Sequence, residues 1–174
     1  MATATNISTQ VPLEVYLRSF HYEPDAEYID GEVRERPAGE DDHSAWQVAI
    51  CAWFLRHRSQ WNIRVRAELR VQVKPRNFLV PDVSILNAAN PKERFAILPP
   101  VAVFEVWSPE NTLREMMRKF DDYEQMGIPQ IWFLDPKDAI WQRYSNGKLA
   151  DSDRFSEPSM SIEFDMSEIG KLLQ

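Results

Sequence analysis

Two hydrophobic periods alternate along the chain. Over residues 42–57, Trp46, Ala49, Ile50, Trp53 and Phe54 recur at helical spacing, which predicts a long helix with Asp41 or Asp42 as its N-cap. In SPENTLREMMRKFDDYEQMG, Leu113, Met116, Met117, Phe120 and Tyr123 form a second helical stripe, closed by Gly127 at a C-cap position. Between the two the period drops to that of strands. Residues 63–73 alternate with a break near Glu68, 78–86 are extended but interrupted by Pro81, and 101–107 form a buried strand.

The flanks fill in around this centre. Residues 12–20, PLEVYLRSF, predict a short helix with Pro12 in its first turn, and YIDGEVRE at 28–35 predicts a tight hairpin turning at Asp30-Gly31. Residues 128–135 form a strand that turns at Pro136-Lys137-Asp138 into a partner, AIWQRY, and the apolar tail residues Ile162, Phe164, Ile169, Leu172 and Leu173 pack on the body. The expected fold is α/β: a mixed sheet with helices packed on it, in one domain spanning 1–174, preceded by a flexible leader at 1–11.

Composition narrows the class. A chain of 174 residues, 44% hydrophobic, can build a real core. No stretch approaches the roughly 20 apolar residues that span a bilayer, and no secretory leader is expected. Cys51 is the single cysteine, so a reduced cytoplasmic compartment is expected and a zinc cage is not. The net charge of −7 argues against a general electrostatic grip on nucleic acid, although Arg64, Arg66 and Arg70 alternate along one segment, where a solvated strand face is the plainer explanation.

One residue violates the apolar pattern. In PPVAVFEVWSPE, Glu105 stands amid apolar neighbours, and burying an unpaired ionised carboxylate costs several kcal/mol or shifts its pKa. Alternation puts Val103, Glu105 and Trp107 on one face and Ala102, Phe104 and Val106 on the other. Asp82 follows Pro81 at the head of another apolar run, VSIL. Two carboxylates on neighbouring strands repel unless a cation lies between them or one is protonated, and such oxygen ligands suit Mg²⁺ or Mn²⁺. Lys119 lies about 100° from the centre of its helical stripe, so its stem can follow the helix–sheet boundary and bring the ammonium to the sheet. Arg114 and Arg118 are expected on the opposite side.

These residues carry a resemblance. PD at 81–82, FEVWSPEN at 104–111 and KFDDYEQMGIPQIWFLDP at 119–136, with YIDGEV upstream and His43 opening the first long helix, resemble the Uma-two family over roughly residues 12–145. These are restriction-endonuclease-like proteins of the PD-(D/E)xK nuclease superfamily. The resemblance implies a mixed sheet flanked by helices, and Mg²⁺- or Mn²⁺-dependent hydrolysis of DNA phosphodiesters. It implies Asp82, Glu105 and the carbonyl of Val106 as metal ligands and Lys119 as the residue that orients the attacking water. Glu32 would be an additional acidic member, and His43 a contact to the metal water or the phosphate. DNA is the implied partner, with a homodimer by analogy, no membrane and no organic cofactor. Trp107, Glu110 and Gln130 depart from the family pattern, which usually has an aliphatic residue, Ser and Glu there.

Each residue also has a bland explanation. Asp82 is a turn or cap residue, Glu105 a partner of a buried arginine, Lys119 a solvated helix lysine, Glu32 an exposed hairpin residue and His43 a packed one. On that basis the alternative function is a catalytically inactive nucleic-acid-binding or protein-interaction module on the same fold.

Overall fold

The computed structural model describes residues 10–18, 26–36 and 39–174. Most of the expected flexible leader, 1–9, therefore lies outside the described residues. Of its last two residues, Val11 is held by a hydrogen bond from its N–H to the Gly31 carbonyl, at 2.8 Å.

A short helix α1 (Leu13–Arg18) leads to the hairpin β1 (Glu27–Ile29) and β2 (Glu32–Arg34). Asp30 and Gly31 both take positive φ, 51° and 98°, the conformation a two-residue hairpin turn demands and Asp-Gly supplies at little strain. Helix α2 (Asp41–Arg56) follows. Its N-cap is Glu40 rather than Asp41 or Asp42, and no side chain caps it; the two aspartates sit in the first turn, where their charge meets the positive end of the helix dipole.

Strands β3 (Ile63–Ala67), β4 (Val71–Lys74), β5 (Asn77–Leu79), β6 (Val83–Asn87) and β7 (Ala102–Val106) come next. The break near Glu68 is a left-handed residue, φ 50°. Helix α3 (Leu113–Met126) starts at a capping box, Thr112 with Glu115, and stops at Gly127, whose φ of 93° a side chain would resist. The remainder is β8 (Gln130–Asp135), β9 (Ile140–Ser145), β10 (Lys148–Asp151), the hairpin β11 (Arg154–Glu157) and β12 (Ile162–Asp165), and α4 (Ser167–Gly170).

The main sheet is six-stranded, in the order β10-β9-β8-β7-β6-β3, and its one parallel pair, β7 with β8, is joined through α3. Alternation sorts its side chains into two cores. Val65, Val83, Phe104, Val106 and Leu134 face α2 and the tail, with Trp46, Ile50, Phe54 and Ile169. Val103, Ile131 and Phe133 face α3, with Met116, Phe120 and Tyr123. Trp132 and Phe104 have no exposed surface, and truncating either side chain costs about 3–5 kcal/mol by large-to-small precedent. A second sheet, β2-β1-β5-β4, leans over the α3 side. The extended run 78–86 is thus divided between two sheets: β5 joins the hairpin, and β6 joins the main sheet.

Candidate active site

The register puts the two central carboxylates side by side. Val83 pairs with Phe104 and Ser84 with Val103, so one step further Asp82 lies across from Glu105. Both are at least 97% buried.

Asp82 is held on every side. One oxygen pairs with the Arg36 guanidinium, and the other accepts the Val106 N–H at 2.7 Å and faces His43 Nε2 at 3.2 Å. Its own carbonyl accepts from Gln47 Nε2 at 3.0 Å and from the Glu68 N–H at 3.2 Å. Burial alone raises its pKa, but the hydrogen bond from His43, the Arg36 and His43 charges and the Val106 N–H together hold it below the ordinary carboxylate value. The same hydrogen bond raises His43 above its ordinary value against the opposing effect of burial.

Glu105 is the reverse case. Burial raises its pKa, the Lys119 charge pulls it back, Asp82 raises it again, and the net shift is upward. Lys119 Nζ lies 2.9 Å from Glu105 Oε1 and 2.9 Å from Glu27 Oε1, and the Tyr123 hydroxyl donates to Glu105 Oε1 at 2.6 Å. Burial disfavours the lysine's charge, yet Glu105 and Glu27 outweigh it and the ammonium is held charged. Glu27 is further fixed by the Val80 N–H at 3.2 Å. The result is an alternating chain of charges, with Glu27, Asp82 and Glu105 answered by Lys119, Arg36 and His43.

These groups line a cavity of about 570 Å³ whose rim carries Glu110, Lys74 and Arg118 among others. Arg118, expected on the far side of α3, is thus on the rim. Glu32 does not line the cavity; its carboxylate is 3.4 Å from Arg34 on the outer hairpin. Val106 contributes its N–H to the Asp82 carboxylate. Three residues entered without having been singled out for the site. Glu27 sits between Ala26 and Tyr28 as Glu105 sits between Phe104 and Val106, so the reasoning applied to one acid applied to the other. Tyr123 is four residues after Lys119, on the same helix face. Arg36 follows the hairpin in RERP and carried no pattern.

A divalent cation needs several oxygen or nitrogen donors around one point. Among the described residues no group of three or more His, Cys, Asp or Glu side chains is arranged to hold one. Two adjacent carboxylates do fit a hard cation that keeps much of its water, as Mg²⁺ does. Tyr123 and Lys119 both take Oε1 of Glu105, and among the described residues no hydrogen bond engages its other oxygen.

A model of the Uma2 family, described as "Putative restriction endonuclease", matches residues 13–163. The chain belongs to the Uma2 family. A crystal structure of a putative nuclease of DUF820 from Anabaena variabilis superposes on this Uma2 protein with a TM-score of 0.78 at 21% identity, covering 94% of this chain and 99% of that one. The fold is accordingly restriction-endonuclease-like. The uncharacterized Synechocystis sp. protein slr1290 is 28% identical over 113 residues, which span 62% of this chain and 58% of that protein. A looser likeness, TM-score 0.40 at 17% identity, links 75% of the chain to 10% of a chain in the cryoEM structure of a DrdV–DNA complex. The family's description as putative restriction endonucleases and the fold shared with the Anabaena protein thus point the same way. No described helix is long and apolar enough to cross a membrane.

Proposed function

We propose that the protein is a divalent-cation-dependent endonuclease that hydrolyses DNA phosphodiester bonds. The observation that carries this reading is the burial of Asp82 and Glu105 side by side at the mouths of adjacent strands, with Lys119 on Glu105, at the floor of an open cavity. A purely structural core gains little from two acids that need three cationic groups to hold them, because well-packed apolar side chains are as stable or more so.

Asp82, Glu105 and the Val106 carbonyl would hold Mg²⁺ or Mn²⁺, which when bound polarises a phosphate oxygen and lowers the pKa of its water. Lys119 fixes the Glu105 carboxylate, points its ammonium into the cavity and offsets the negative charge that accumulates as water attacks phosphorus. Tyr123 holds the same carboxylate oxygen from the helix side. His43 sets the orientation of Asp82. Glu32, on the hairpin beside Arg34, takes no part in the reacting centre in this reading. A homodimer would present two such cavities to the two strands of a duplex.

The test is supercoiled plasmid incubated with purified protein and Mg²⁺ or Mn²⁺, beside Asp82→Asn and Glu105→Gln. The expected result is nicking by the unaltered protein that both substitutions abolish. A second reading, a module that binds nucleic acid or protein without cleaving, draws on the full occupation of Asp82 and on Glu110 at the rim; inertness with both cations would favour it.

A further inference from the structure

We propose that Arg36 is a phosphate-binding residue held in reserve: in the free protein its guanidinium rests on Asp82, and it is freed for the substrate phosphate when a divalent cation claims that carboxylate. This rests on the nuclease reading of the same cavity.

Asp82 has one carboxylate oxygen left to offer a cation. Its second oxygen is committed to the Val106 N–H and to His43, both anchored in regular structure, β7 and α2. The first oxygen is taken by Arg36. A cation bound by Asp82 without dismantling β7 or α2 comes to that oxygen, and repulsion between it and the guanidinium already seated there makes Arg36 the group that yields. Arg36 lies beyond the end of β2, outside helix and strand, so its departure breaks no ladder hydrogen bond.

Arg36 is also poorly satisfied where it rests. Its Nη1 is buried and has no hydrogen-bond partner among the described residues, although a guanidinium carries five donors in a planar fork. That fork matches two oxygens of a phosphate better than one oxygen of an aspartate. The side chain lines the cavity with 14% of its surface exposed, so it faces the space a phosphodiester would enter. That space needs a cation: Lys119 is already shared between Glu27 and Glu105, and a phosphate approaching the three acids meets repulsion unless a second positive group is available.

The test uses the full chain with Arg36→Met and Arg36→Lys and two binding readouts. Mn²⁺ affinity is measured by isothermal titration calorimetry, and binding of a fluorescein-labelled DNA duplex by anisotropy in Ca²⁺. Arg36→Met is expected to bind Mn²⁺ about tenfold more tightly, the equivalent of ~1.4 kcal/mol, because a competitor is gone. The same variant is expected to bind the duplex more weakly although its cation site fills more readily. Arg36→Lys, which keeps the charge and loses the fork, is expected to bind Mn²⁺ nearly as the unaltered protein does and still bind the duplex more weakly. Unchanged or weaker Mn²⁺ binding by Arg36→Met overturns the proposal while leaving the nuclease reading intact, provided the unaltered protein binds Mn²⁺ and Asp82→Asn does not. Tighter Mn²⁺ binding with unchanged duplex binding overturns the phosphate role. Failure of the unaltered protein to bind Mn²⁺ removes both readings together.

Discussion

Replacing Lys119 with methionine tests the charge chain where it is least compensated. The ammonium is 2.9 Å from each of two carboxylates, and the side chains of Lys119, Glu27 and Glu105 are only 14, 10 and 4% exposed. Methionine fills most of the volume but leaves two buried acids facing each other with Arg36 as the nearest remaining cation. Removing one member of a buried ion pair costs about 3–5 kcal/mol. For a chain of 174 residues each kcal/mol moves the melting temperature by about 2–4 °C, which gives a fall of about 6–20 °C. Urea denaturation followed by far-UV circular dichroism reads the same loss at constant temperature. Glu105→Gln is expected to cost much less, since Lys119 keeps Glu27 and glutamine can still accept from Tyr123. The double variant Glu105→Gln/Lys119→Met is expected to be more stable than Lys119→Met alone. Lys119→Met within 1 kcal/mol of the unaltered protein, or simple addition of the two single costs, would refute the idea that the lysine compensates both acids.

Other consequences are more local. Asp82→Asn is expected to reduce plasmid nicking by more than about 100-fold with little change in the circular dichroism spectrum. The His43–Asp82 contact should be pH-dependent: the lowered Asp82 value makes its contribution complete above about pH 4 and lost on acidification, and the raised His43 value makes it complete below about pH 6.5 and lost as pH rises. The stability gap between the unaltered protein and His43→Ala should therefore be widest between those limits, and a gap that grows steadily toward pH 9 would contradict the assignment. A Cβ at Gly39 would stand 2.8 Å from His43 Nδ1, so Gly39→Ala should displace the ring from Asp82, lowering nicking and costing no more stability than His43→Ala does. Thr112→Ala removes the capping box of α3 and should cost about 1 kcal/mol in urea denaturation, without affecting Mn²⁺ affinity.

Local signals account for what could be read in advance. The Asp30-Gly31 turn, the stop at Gly127 and the stripe of Met116, Phe120 and Tyr123 depend on neighbours a few residues away, and each appears in place. Period-two alternation also separated Val103 and Glu105 from Phe104 and Val106, which is why the buried acid pointed to the α3 face. Lys119 followed from helix geometry. What was not legible depends on pairing between distant segments. Nothing in NFL or VQVK indicates that β5 and β4 leave the main sheet to join the hairpin, because edge and central strands of this length share one pattern. The hairpin of β11 and β12 is short and mixed, and one of its ties to the main sheet, Gln130 Nε2 donating to the Ser156 carbonyl at 2.7 Å, links residues that no local pattern connects. Arg36 was invisible for the same reason: its partner is 46 residues away.

The central claim is that the core tolerates these acids because they hold a divalent cation. The most direct measurement is anomalous diffraction from a crystal soaked in MnCl₂. The expected result is a manganese peak at ligand distance from carboxylate oxygens of both Asp82 and Glu105, with the Arg36 guanidinium withdrawn from Asp82. Saturating Mn²⁺ with no peak there, and Arg36 still seated on Asp82, would contradict it.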